Sequence, residues 1–179
     1  MKILTNILIL LISNLTLAQI EKKNDTLEIW TLFSIGNFVN QNAEKIIEKE
    51  WPFKVKGIAG DSFVEGLIDS VEIHNNKIWN YLDTNGYSNS KKKFESDLLA
   101  EIIRIKKAVE ISQSNKTVSE LYTKLRKRKL QNYTELKKEN NTKYEFTVFS
   151  FDLKNLERKQ DFEFKFISDL KKEKTKIIE

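Results

Sequence analysis

The sequence contains no cysteine, only one histidine and one proline, and five glycines. Without cysteine the chain can form no disulfide and has no thiol nucleophile, so the hydrophobic core must stabilise it alone. One histidine and no cysteine also leave too few nitrogen and sulfur ligands for a zinc site. Because proline and glycine are the strongest breakers of regular structure, their scarcity predicts long helices and strands.

Charged side chains are abundant in both signs, with 31 basic and 26 acidic residues and a net charge of +5. This mixture is typical of an ordinary solvated surface. The alternative is attraction to an anionic surface, such as a layer of lipid head groups or an acidic polysaccharide. Hydrophobic residues make up 40% of the chain and aromatic residues 11%, which is enough to bury a core and argues against disorder.

The first eighteen residues have the layout of a secretory signal peptide. Lys2 supplies a positive start, residues 7–12 form a short apolar run, and Thr16 and Ala18 provide small residues for cleavage after Ala18. The alternative is a permanent membrane anchor, but the run is shorter than the roughly 20 apolar residues of a spanning helix. The sequence therefore predicts export to the periplasm or beyond, as a protein that is not integral to the membrane after cleavage. An exported protein is not expected to meet nucleic acid.

Residues 19–179 are predicted to form one domain, since about 160 residues is close to the usual domain size. Apolar side chains recur every three or four residues in four segments, which predicts four helices. The first of these is expected to start at an Asp25 cap and to end before Pro52, and the second to start in a capping box of Ser62 and Glu65. The four predicted helices cover residues 26–50, 61–82, 90–111 and 118–138.

Alternating apolar and polar residues predict strands at 53–57, 143–152, 161–167 and 174–178. The last three follow one another closely and predict an antiparallel meander, with residues 153–160 as a connection that has room for a helical turn. We expect residues 53–57 to join them in one sheet. The predicted fold is therefore α+β, with about four helices packed on one face of a small antiparallel sheet of about four strands.

His74 is the first residue to consider for catalysis, with Ser70 and Asp69 as weak partners. Ser70 precedes His74 by four residues and shares its helical face, whereas Asp69 precedes it by five residues and does not. A serine in mid-helix lacks an oxyanion hole. His74 also falls in register with apolar residues, so a ring packed at the margin of the core is the favoured interpretation.

Asn75 lies in the apolar stripe of the same predicted helix, between Val71 and Ile78. A buried amide must find hydrogen-bond partners, for which the backbone of a neighbouring element is one source. The favoured interpretation is that the helix rotates slightly and Asn75 reaches solvent at the margin of the core. We treat it as a weak ligand-binding candidate.

Glu65, Asp69 and Glu72 share a helical face, a pattern that would suit a hard cation. Acidic residues at this spacing are also common on solvated helices, and no second acidic helix is indicated. The sequence therefore predicts no metal site and no cofactor.

Two basic segments would form an anion-binding patch if the third and fourth predicted helices pack side by side. Acidic residues on the same helices offset them, so a solvated face is the favoured interpretation. The residues of this weak patch are Lys91, Lys92, Lys93, Arg126 and Arg128.

Aromatic side chains suggest a second kind of site. The phenylalanine-rich strands and the three tryptophans would suit a groove for carbohydrate or lipid, although alternating phenylalanines on a sheet more often form a core. The tryptophans are Trp30, Trp51 and Trp79.

Residues 50–61, 67–71, 74–75 and 149–153 resemble a family of small exported proteins of Bacteroidota that carry no assigned activity. The resemblance covers about half of the chain after residue 18. It implies an envelope location and an α+β fold, and it supplies no catalytic residues. The frequent Lys, Asn and Ile also suit a bacterial genome of low GC content.

Three functional hypotheses follow. The first is a non-enzymatic binding or interaction module of the bacterial envelope, whose partner is an unknown envelope protein. The second is a periplasmic enzyme or small-ligand binder that uses the residues around Asp69 and His74. The third is an electrostatic binder of an anionic envelope polymer or lipid, whose binding would weaken as salt rises.

Overall fold

A computed structural model describes residues 26–32, 37–59, 65–152 and 160–179. These residues form an α+β fold that contains four helices, one short 3-10 helix at Glu48–Glu50 and two sheets. The strands are β1 (Leu27–Leu32), β2 (Phe53–Ala59), β3 (Gln131–Asn140), β4 (Lys143–Phe151), β5 (Asp161–Asp169) and β6 (Lys174–Ile177). The helices are α1 (Phe38–Ile47), α2 (Leu67–Thr84), α3 (Ser90–Gln113) and α4 (Lys116–Lys127).

Strands β3 to β6 form a four-stranded antiparallel sheet in sequence order. The predicted meander of the last three strands is confirmed. Every second residue of β4 is buried, which places Tyr144, Phe146 and Val148 on one face of the sheet. Phe166 of β5 lies opposite Phe146, and their rings stack with centroids 4.8 Å apart.

That face of the sheet is covered by helices. Helix α3 contacts β4, β5 and β6, α4 contacts β3, and α1 packs against α3. The buried residues form a first hydrophobic cluster, which consists of Ala43, Ile46, Ile105, Ala108, Val118, Leu125, Tyr144, Phe146, Val148, Phe164 and Phe166.

Strands β1 and β2 form a separate two-stranded parallel sheet. Helix α2 packs on β1, and a second hydrophobic cluster consists of Ile29, Ile47, Phe53, Trp79, Leu82 and Phe94. Leu98 of α3 packs against both clusters. Helix α3, which runs close to its predicted bounds, therefore links the two.

The predicted helix over residues 26–50 is wrong in its first half, since residues 27–32 form β1. The segment Leu-Glu-Ile-Trp-Thr-Leu satisfies both a helical stripe and a strand alternation, and pairing with β2 decides between them. Helix α1 instead begins after Asn37, whose side chain accepts a hydrogen bond from the backbone N–H of Asn40. The regular structure ends before Pro52, as predicted.

The predicted helix over residues 118–138 is also wrong in its second half. Helix α4 ends at Lys127, Lys129 adopts a left-handed φ of 56°, and β3 begins at Gln131. Leu136, which matches the helical period, instead lies opposite Phe146 in the sheet.

The strand expected at 53–57 exists, but it does not join the C-terminal sheet. It pairs in parallel with β1, and β3 supplies the fourth strand of the antiparallel sheet instead. Helix α2 therefore packs on the small sheet. The predicted Asp25 cap, the Ser62 capping residue, the signal peptide and most of the 153–160 connection lie outside the described residues. Within the described part of the chain, no helix is long and apolar enough to cross a membrane.

Candidate functional site

A cavity of about 510 Å³ lies between α1, the end of α3, α4 and the inner face of the large sheet. Its floor is apolar, since Phe146, Phe166 and Val118 line it and are 1–2% exposed. Exposed residues line the rim, among them Ser119, Arg126 and Asn132. The volume falls within the usual range for small-molecule sites.

Helix α4 forms one wall because its first turn is fixed. The side chain of Asn115 accepts a hydrogen bond from the backbone N–H of Val118 at 3.1 Å, and its Nδ2 donates to the carbonyl of Thr175 on β6 at 3.2 Å. These two bonds connect the start of the helix to the far edge of the sheet. They hold Val118, Ser119 and Tyr122 over the sheet.

The polar groups inside the cavity are few and neutral. The Tyr122 hydroxyl and the Thr134 hydroxyl lie 3.2 Å apart, and the Ser112 hydroxyl donates to the carbonyl of Val109 at 2.7 Å. Burial raises the pKa of Tyr122. The phenol therefore stays protonated at neutral pH and offers hydrogen bonds without charge.

Arg126 is the one charged residue among the described lining residues. Its guanidinium donates to the hydroxyl of Thr123 at 3.2 Å, and among the described residues it forms no ion pair with a carboxylate. Arg128, two residues later, differs because it pairs with Glu163 at 2.7 Å.

The described lining of the cavity contains no carboxylate, imidazole or lysine. General acid–base catalysis at neutral pH depends on such groups, and a tyrosine with a raised pKa is a poor base. The arrangement can bind a molecule of mixed polarity.

A buried ionic cluster lies in the middle of α3, before the residues that line the cavity. Glu101 is fully buried, and its carboxylate accepts hydrogen bonds from the Tyr144 hydroxyl at 2.6 Å, from Lys138 at 2.9 Å and from Arg104 at 2.7 Å. Burial alone would raise the pKa of Glu101, but these donors more than offset it, so the pKa lies below its ordinary value. Burial and the adjacent carboxylate raise the pKa of Tyr144. Because each group has a partner, the cluster fixes α3 on β3 and β4.

His74 and Asn75 close the free edge of β1. The Asn75 Nδ2 donates to the carbonyl of Trp30 at 2.8 Å, and its Oδ1 accepts the Trp30 backbone N–H at 2.8 Å. The His74 Nε2 lies 2.9 Å from the carbonyl of Glu28, and its ring stacks on Trp30 with centroids 3.7 Å apart. These two side chains replace a neighbouring strand. Asn75 is half-buried and bonds to backbone, although the favoured interpretation directs its amide to solvent.

The hydrogen bonds that the structure shows for the side chains of Ser70 and His74 go to backbone carbonyls and not to one another. The Ser70 hydroxyl donates to the carbonyl of Gly66 at 2.9 Å, and Ser70 and Asp69 are both exposed. Glu65 and Glu72 are exposed as well, and the described residues contain no group of three or more side chains able to hold a metal ion.

The basic residues of the predicted patch lie at different levels. Lys91, Lys92 and Lys93 stand in the first turn of the 24-residue α3, whereas Arg126 and Arg128 lie at the end of the 12-residue α4. In an antiparallel pair of such helices, Arg128 would lie about eight residues along α3 from Lys93. At 1.5 Å per residue, even these two residues would be about 12 Å apart along the axis. Arg126 faces the cavity and is the member with a distinct environment.

The tryptophans lie near the second hydrophobic cluster and the two-stranded sheet. Trp79 is buried in the second cluster, and Trp51 packs on Phe53 and Phe94. Trp30 lies on β1, and its buried Nε1 has no hydrogen-bond partner among the described residues. Phe164 and Phe166 form core, whereas Phe162 is 44% exposed.

Sequence reasoning missed the cavity because it assigned the β3 residues to a helix. The signal that points to a strand is Asn140-Asn141, since asparagine pairs favour the reversal between two strands. In the structure Asn140 Oδ1 accepts hydrogen bonds from the N–H and the hydroxyl of Thr142 in that turn. Without β3, the residues Asn132 and Thr134 cannot be placed opposite Tyr122 and Arg126.

No protein-family model, no curated protein and no solved structure matches this chain. Its function must therefore be inferred from the geometry of the described residues.

Proposed function

We propose that this protein is a non-enzymatic binding module that holds a small, largely apolar molecule in the cavity between α4 and the large sheet. The observation that supports the proposal is the apolar floor of Phe146, Phe166 and Val118 beneath a rim of polar residues. Apolar walls with a few convergent polar groups are typical of small-molecule sites. The absence of a carboxylate or imidazole from the described lining favours binding over acid–base chemistry.

Substitution Ser119→Phe tests the proposal, because Ser119 is exposed at the rim and a phenyl ring there would fill the entrance. A neutral fluorescent apolar probe, N-phenyl-1-naphthylamine, is expected to bind the parent chain at one site. The variant should bind it at least tenfold more weakly, as judged by fluorescence titration.

Ser96→Phe is the matched control, since Ser96 is exposed on α3 and does not line the cavity. It adds the same ring to the surface and should leave probe affinity unchanged. Equal probe binding by the parent and both variants would contradict the proposal, because the probe would then occupy another surface. Circular dichroism of each variant confirms that the fold is retained.

We further propose that the module is exported and works in the bacterial envelope. The support is the layout of residues 1–18, which have a positively charged start, an apolar run and small residues before the predicted cleavage position. The resemblance to exported Bacteroidota proteins agrees with it.

Fractionation of bacteria that express the full chain tests export. We expect the protein in the periplasmic or extracellular fraction, with its N-terminus at Gln19. Full-length protein in the cytoplasm, with residues 1–18 still attached, would contradict export without bearing on the cavity.

A further inference from the structure

We propose that the ligand of the cavity is an anionic amphiphile, whose aliphatic body lies on the Phe146–Phe166 floor and whose carboxylate or phosphate head binds Arg126. This inference rests on the proposed function and specifies the class of ligand. It follows from the polarity gradient across the cavity, from the donors of Arg126 that no described residue accepts, and from the charge of the rim.

The cavity is apolar at its floor and more polar at its rim. Phe146 and Phe166 are 2% and 1% exposed, and they lie side by side on adjacent strands. Arg126, Asn132 and Ser119 are all exposed at the rim. A molecule that fills this space gains most when its apolar part lies inward and its polar part reaches the rim.

Arg126 has the hydrogen-bonding capacity to hold such a head group. A guanidinium carries five N–H donors, and among the described residues that of Arg126 makes one bond, to the hydroxyl of Thr123. Its planar fork matches the two oxygens of a carboxylate or phosphate. Because no described carboxylate pairs with Arg126, an anionic ligand would not have to displace an internal partner.

The surroundings of Arg126 favour a negative ligand. Lys124 and Lys127 lie in the same last turn of α4, and the described lining contains no acidic residue. Tyr122, the other ionisable group among the described lining residues, is neutral at pH 7, and burial raises its pKa further above neutrality. An excess of positive charge around a cleft attracts anions and raises their association rate.

The test compares ligands that differ only in the head group, at concentrations below micelle formation. Dodecanoate, monododecyl phosphate and dodecanol share one chain length, and their binding is measured by displacement of N-phenyl-1-naphthylamine. For the parent chain we expect one of the two anions to bind at least tenfold more tightly than the alcohol, because bonds to charged groups are the stronger ones. The tighter anion identifies the head group.

Arg126→Gln should remove that preference, so that each anion binds the variant no more than about threefold more tightly than dodecanol does. Lys127→Gln is the matched control, since it removes the same charge from the neighbouring residue, which does not line the cavity, and should weaken anion binding less than threefold. Equal affinity of the alcohol and both anions, or equal losses in the two variants, would overturn the anionic assignment while the cavity still binds. Failure of all three ligands to displace a probe that binds the cavity would also overturn the amphiphile assignment, whereas failure of the probe itself to bind would contradict the proposed function.

Discussion

The Glu101→Ala variant is expected to unfold with a free energy about 3–5 kcal/mol lower than that of the parent chain. The carboxylate of Glu101 is fully buried and is the shared acceptor of Tyr144, Lys138 and Arg104. Removing it leaves the Tyr144 hydroxyl without its partner. The Lys138 ammonium, whose side chain is only 14% exposed, keeps only the longer 4.0 Å contact with Glu50 among the described carboxylates. Urea denaturation followed by circular dichroism measures the difference.

Glu110→Ala is the control for this prediction. Glu110 is exposed on the same helix, so its truncation should change the free energy of unfolding by about 0.5 kcal/mol or less. If Glu101→Ala does not fold, Glu101→Gln retains the side-chain shape and should cost about 1–3 kcal/mol. Equal stabilities of the Glu101 and Glu110 variants would show that the buried cluster contributes little.

The pH dependence of stability separates charge from packing in the same experiment. Because the pKa of Glu101 is lower in the folded state than in the unfolded chain, its contribution is present above the unfolded value. It is lost as the pH falls through the folded pKa. The raised pKa of Tyr144 acts at the other end, since its contribution is present below about pH 10 and declines above it. The parent should therefore lose more stability in acid than Glu101→Gln does.

The Asn75→Asp variant is expected to lower the free energy of unfolding by about 1–3 kcal/mol and to loosen β1. Asparagine donates to the carbonyl of Trp30 and accepts its N–H, whereas an aspartate oxygen in place of Nδ2 cannot donate and repels that carbonyl. Hydrogen exchange should therefore show faster exchange of the Trp30 amide and of the amides that pair β1 with β2.

Asn76→Asp provides the comparison, because it makes the same chemical change at the next residue, which is exposed on α2. It should leave both stability and the exchange of β1 nearly unchanged. Equal effects of the two substitutions would mean that the negative charge on the helix, and not the lost edge contact, is responsible.

The elements predicted well from sequence are those for which local pattern and tertiary pairing agree. Helix α3 has an unambiguous apolar stripe through Phe94, Leu98 and Ile105, and β4 alternates through nine residues. Both lie close to their predicted bounds. The buried face of each element is visible in its own sequence.

The errors fall where a segment supports two structures. Residues 131–140 are rich in lysine, glutamate and asparagine, which are not typical strand residues, and their strand state comes from pairing with β4. The parallel pairing of β1 with β2 depends equally on contacts distant in sequence. Because the cavity is lined from α1, α3, α4 and three strands, a misassigned β3 was enough to hide it.

The three tryptophans lie away from the cavity, and this distribution determines what the intrinsic fluorescence of the protein reports. Trp51 and Trp79 belong to the second cluster and Trp30 to the edge of β1, whereas none of them lines the cavity. Helix α3 contributes Phe94 to one cluster and Ile105 to the other. A change in tryptophan emission on ligand addition would therefore be a remote signal transmitted between the two clusters, not quenching by contact.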